Sequence, residues 1–134
     1  MQVDIQLDDN GVLLTRLTGE FDADEWIRQR EEAMAKLPAG LDMNGRPMVT
    51  DAVDCYRPDA EWTTHVAKVC LYLETKPGYT GRRAYVTGSN ENANSALSLF
   101  TDLEQHFRAH PNELKCFPDF ETAYAWATDN WSPD

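Results

Sequence analysis

Two short polar clusters hold most of the side chains that could do chemistry. The first is Asp54, Cys55, Tyr56, Arg57 and Asp59; the second is Thr87, Ser89, Asn90 and Asn92. Each follows an apolar, β-rich run, Met48 to Val53 in one case and Ala84 to Thr87 in the other. In open α/β sheets ligands sit outside the carboxyl ends of parallel strands. Side by side, the two loops would form a polar rim with one cation and helix N-termini, suited to a small anion. The candidate ligand-binding residues are therefore Asp54, Tyr56, Arg57, Thr87, Ser89 and Asn90. A purely structural reading stands beside this one, because Asp, Ser and Asn are the residues that helix caps require. Gly88-Ser89-Asn90 lacks the length and the lysine of a phosphate-binding loop.

Nucleophilic and metal chemistry find less support. Arg57 near Cys55 would favour a thiolate, which gives the alternative of a small enzyme using the Asp54/Cys55 loop. No histidine stands at a spacing from which a Cys-His pair can be read, so no catalytic residue is assigned and enzymatic activity is not expected. Cys70 and Cys116 fall at core positions. Three cysteines without a CxxC pair argue against a disulfide framework or a structural zinc. His106 and His110 are one helical turn apart but lack the glutamate of HExxH, and His110 precedes Pro111 at a helix end. His65 lies at a face boundary between Thr64 and Val66. Neither a metal nor a cofactor is expected.

The elements that must position these loops are readable in order. Val3, Ile5 and Leu7 alternate with polar residues, Asp8-Asp9-Asn10-Gly11 turns the chain, and Val12, Leu14 and Leu17 follow up to Gly19. Asp22, with Glu25 three residues on, resembles a capping box for a helix bearing Trp26, Ile27, Ala33, Met34 and Leu37, stopped by Pro38-Ala39-Gly40. A strand through Met48, Val49, Ala52 and Val53 closes at Asp54. Asp59 then caps a helix starting near Ala60, whose Val66, Val69, Cys70 and Leu73 share one face before Lys76-Pro77-Gly78. Arg82 to Phe100 holds a strand, a Gly-Ser-Asn break and a helix with Ala93, Ala96, Leu97, Phe100, Leu103 and Phe107 in register. Leu114 to Phe117 is a strand, and a last helix carries Ala123, Tyr124, Trp126 and Ala127 after Pro118-Asp119. The order ββαβαβαβα predicts an α/β fold in one domain over residues 1–134. Its mixed five-stranded sheet is parallel apart from one antiparallel edge strand, with about four helices and right-handed crossovers.

Twelve basic residues against twenty-three acidic ones leave a formal charge of −11 in 134 residues. Nucleic-acid backbones and anionic membranes would be repelled. No apolar run approaches the ~18–20 residues of a membrane span, and the N-terminus lacks the pattern of a signal peptide, so a cytoplasmic location is expected. Trp26 and Trp126 have core spacing; Trp62 and Trp131 do not. Residues after about Asp129 read as a frayed tail. An exposed Trp62 at the start of the second helix would suit self-association as a homodimer.

Several local sequences resemble the STAS fold group, and in particular the bacterial SpoIIAA-like proteins described as STAS/SEC14-like. They are Leu17-Thr18-Gly19-Glu20-Phe21, Val49-Thr50-Asp51, Gly81-Arg82-Arg83-Ala84-Tyr85-Val86, and the closing Phe117 to Trp126. The resemblance implies a SpoIIAA-like fold over essentially the whole chain. It also implies a kinase partner and a phosphorylation switch in an Asp-Ser-Ser-Gly motif after the central strand, as in anti-sigma-factor antagonists. That motif falls here near Asp59-Ala60-Glu61-Trp62, where neither following position is serine. Without a hydroxyl to accept phosphate the switch is not expected to run. The function implied is a soluble, non-enzymatic binding or regulatory domain with a protein partner or small ligand. The SEC14 likeness adds the alternative of a carrier or sensor of a small apolar or anionic ligand.

Overall fold

The computed structural model describes residues 1–58, 61–75, 81–107 and 113–133. The Asp8 to Gly11 turn folds β1 (Gln2–Leu7) against β2 (Leu13–Glu20) as an antiparallel pair, with Leu7 opposite Leu13. The Asp8 carboxylate accepts from the backbone of Asn10 and Val12, and Gly11 takes the positive φ that the turn needs. The second strand runs past Gly19 to Glu20, one residue beyond the expected stop.

Four further segments alternate as the hydrophobic pattern requires: α1 (Ala23–Ala35), β3 (Met48–Tyr56), α2 (Trp62–Glu74) and β4 (Arg83–Val86). They are followed by α3 (Glu91–Phe107), β5 (Leu114–Phe117) and α4 (Phe120–Ala127). Asp22 caps α1 by accepting from the Glu25 amide, and Asp119 caps α4 by accepting from the Thr122 amide. The reciprocal half of the Asp22 capping box is missing, because the Glu25 carboxylate is drawn to Arg28 and Gln29. The caps and breaks expected at Asp59, Ala60 and Lys76-Pro77-Gly78 lie outside the described residues.

The sheet has the order β1-β2-β3-β4-β5, antiparallel between β1 and β2 and parallel thereafter. Each crossover steps one strand in the same direction, so right-handed connections place α1, α2 and α3 on one face. Their Ala23, Val66, Val69, Cys70, Ala93 and Phe100 form one core with Val3, Leu17 and Ala52 of the sheet. The other face is covered by α4, whose Ala123 and Ala127 pack on Val12, Val49, Ala84, Val86 and Phe117. Gly81 admits no side chain where β4 begins, because a Cβ there would lie 2.0 Å from the Arg46 carbonyl oxygen.

Two expectations of the pattern give way to tertiary structure. The third strand does not close at Asp54 but continues to Tyr56 through a β-bulge. Arg16 pairs with Asp51 and Thr18 with Asp54, so three steps on β3 match two on β2. Nor is the C-terminal segment frayed at Trp131. Its indole donates to the Asn10 carbonyl at 2.8 Å, and the Arg46 guanidinium lies over the ring. Packing against the hairpin turn supplies the order that local sequence lacks.

Candidate functional site

The bulge decides where the first polar loop points. Val53 and Asp54 both turn outward, and Asp54 pairs with Arg16 at 3.5 Å on the α4 side of the sheet. Cys55 returns to the core and Tyr56 is exposed. Arg57 folds back, donating to the Phe21 carbonyl at 2.6 Å and to Glu61 at 3.1 Å, with Glu20 at 3.8 Å.

The second loop is sewn to the first by two amides. Asn90 caps α3, accepting from the Ala93 amide at 3.0 Å, while its side-chain nitrogen donates to the carbonyls of Val53 and Cys55 at 2.8 Å each. Asn92 accepts from the Arg57 amide and the Trp62 indole and donates to the Arg57 carbonyl. The two loops are therefore adjacent, as the pattern suggests, and their amides hold the bulge in place. Thr87, Ser89 and Asn90 line a shallow depression with Glu91, Asn94 and Pro118, and Asp54, Tyr56 and Arg57 lie outside it. The strand order never reverses, so β2 to β5 offer no topological switch point at which these loops would diverge.

Three side chains behave differently from their sequence reading. Arg57 does not favour a Cys55 thiolate: burial pushes that thiol up to about 11. Trp62 is half-buried rather than exposed, because it stacks on Phe21 at 5.4 Å and hydrogen-bonds Asn92. His65 is not at a face boundary but buried, with Nδ1 accepting the Ala23 amide at 2.9 Å. That bond ties α2 to the first turn of α1 and serves one of the helix's orphan donors. The His106 ring rests on the Asp102 carbonyl, and His110 lies outside the described residues.

Between the sheet and α1, α2 and α3 lies a cavity of about 100 Å³. Its walls are Val3, Leu17, Ala52 and Tyr85 from the strands and Trp26, Val66, Leu73, Ala96 and Phe100 from the helices. Four polar side chains reach this apolar space: Thr15 from β2, Arg30 from α1, Thr50 from β3 and Arg83 from β4. They are 8%, 8%, 3% and 4% exposed. The Thr15 hydroxyl is buried without a hydrogen-bond partner among the described residues. Arg30 donates to the Tyr72 hydroxyl at 3.1 Å and lies over the rings of both Trp26 and Tyr72. Tyr72 in turn donates to Glu31, and burial together with that bond pushes its phenol up, so it stays protonated.

The cavity's polar residues left a signal in the pattern. Thr15 alternates with Leu13 and Leu17 on the inward side of β2, and Arg30 is one turn from Trp26 and Ile27 on the apolar stripe of α1. Glu104, fully buried on α3, stands one turn after Phe100 in the same way. A polar residue at an inward position of an amphipathic element costs free energy unless something receives it, and so marks a place to look.

No protein-family model matches the chain, and no curated protein does. In structure it is similar to an uncharacterized protein of the DUF3478 family with a SpoIIAA-like fold, from Shewanella loihica PV-4. The TM-score is 0.62 at 15% identity, over 94% of this chain and 92% of that one. The fold is SpoIIAA-like, as the short motifs implied. Among the described residues no helix is long and apolar enough to cross a membrane.

Proposed function

We propose that the protein is a non-enzymatic binding domain of STAS type, acting in the cytoplasm, that holds a small and mostly apolar ligand between the sheet and α1, α2 and α3. The cavity carries this reading, and above all the Thr15 hydroxyl buried in its wall without a partner among the described residues. Leaving such a group unsatisfied costs about 1–3 kcal/mol, which a ligand oxygen would relieve. An engineered apolar cavity of about 150 Å³ takes up benzene, so a space of this order suits a body of a few carbons. Burying ~100 Å² of such a body gains about 2.5 kcal/mol, which points to millimolar affinity for minimal probes. The protonated, buried Cys55 thiol supports a binding role over nucleophilic chemistry in the same loop.

Titration with 1-butanol, followed by NMR, tests the reading. Saturable shifts are expected at Thr15, Leu17 and Phe100, and Ala96→Leu, which fills the space, should abolish them while the protein stays folded. Absence of saturable shifts at the cavity walls in the parent would overturn the proposal.

The regulatory side of the proposal is that an anti-sigma kinase does not act at the loop before α2. Asp59 and Ala60 lie outside the described residues, and Glu61 and Trp62, which follow them, carry no hydroxyl. Phosphate found between Cys55 and Thr64 after incubation with such a kinase, on Thr63 for instance, would refute this.

A further inference from the structure

Resting on that binding reading, we infer that the ligand is a small monocarboxylate whose charge is received by Arg30. Arg30 sits on the apolar stripe of α1 and lines the cavity, although nine-tenths of its surface is buried. A guanidinium taken out of water needs an anion or several acceptors. Here it has one hydrogen bond among the described residues, to the Tyr72 hydroxyl, and no carboxylate lies within ion-pair distance. Glu31 is reached through Tyr72 rather than directly.

The remaining stabilisation comes from ring faces. The guanidinium carbon is 5.8 Å from the Trp26 ring and 5.7 Å from the Tyr72 ring, and those two rings meet edge-on at 5.9 Å. Rings at these faces fix the plane of the guanidinium and leave donors at its edge for a partner. A planar, bidentate acceptor with one negative charge matches that edge, and a carboxylate is such a group. A phosphate monoester is tetrahedral rather than planar and would bring nearly two charges to that edge, in a chain whose formal charge is −11; Arg83, the other guanidinium in the wall, has interactions of its own. Apolar walls receive the carbon body, and the Thr15 hydroxyl offers a further polar contact from the sheet side.

The test compares butanoate, 1-butanol and butyl phosphate at neutral pH on the parent protein by the same NMR titration. Butanoate should bind at least tenfold more tightly than 1-butanol, and Arg30→Met, which keeps the apolar stem, should remove that preference. Should the variant fail to fold, the parent's own preference decides. Equal or tighter binding of 1-butanol overturns the inference and leaves the apolar-ligand reading standing. Tighter binding of butyl phosphate overturns the assignment to a carboxylate. If none of the three binds, both readings fall.

Discussion

Asn90 joins two tasks that substitution can separate. Its side-chain oxygen caps α3 through the Ala93 amide, and its side-chain nitrogen bridges the Val53 and Cys55 carbonyls on either side of the β3 bulge. Loss of a cap costs about 1 kcal/mol. The part-buried bond to Cys55 adds about 1 kcal/mol and the exposed bond to Val53 about 0.5. Asn90→Ala should therefore lose about 2–3 kcal/mol, or roughly 10 °C of melting temperature at this chain length. Asn90→Asp is the informative variant. A carboxylate is an excellent cap beside a helix N-terminus, yet it would face two carbonyl oxygens with no proton to offer. Asn90→Asp should thus lose about as much as Asn90→Ala. Urea denaturation of the parent and both variants, fitted with a shared m-value, measures this. If Asn90→Asp is as stable as the parent while Asn90→Ala loses only about 1 kcal/mol, the residue is a cap alone and the bulge needs no clasp.

Three other outcomes are expected. Trp131→Ala should destabilise by about 2 kcal/mol, measured by denaturant titration, because the half-buried indole closes the second core; an unchanged midpoint would restore the frayed tail. Cys55 should react with iodoacetamide at pH 8 about a hundredfold more slowly than an ordinary thiol, since burial raises its pKa from 9.0 to about 11; rapid selective labelling, read by peptide mapping, would contradict its placement. The Thr122 amide holds the Asp119 carboxyl below its usual range, so its contribution is present at neutral pH and lost as pH falls through that lowered value. The stability advantage of the parent over Asp119→Asn should accordingly shrink as the pH is lowered below the usual carboxylate range, and a constant difference would count against the cap.

What the sequence discloses here divides by range. The Asp22 and Asp119 caps, the hairpin turn and the stripe of α2 depend on residues a few positions apart, and each forms where its pattern implies. The bulge depends on the pairing of β3 with β2, and alternation within Met48 to Tyr56 alone does not contain it. His65 and Trp131 find their places through Ala23 and Asn10, partners 42 and 121 residues away. The polar loops were visible as loops, but their amides turn inward to each other rather than outward. The cavity was visible only as an anomaly, a threonine and an arginine at positions where the period calls for an apolar side chain.

The order of the strands also bears on how the chain matures as it is made. Each of β2 to β5 is laid beside the strand made just before it, so the sheet can grow outward without waiting for distant sequence. The face under α1, α2 and α3 closes progressively as each crossover is completed. The opposite face cannot. Val12, Val49 and Ala84 belong to strands made early, yet Ala123, Ala127 and Trp131, which cover them, are made after all five strands. Until that segment leaves the ribosome, the nascent protein carries a finished sheet with one bare apolar side, open to whatever chaperone or neighbouring chain meets it first.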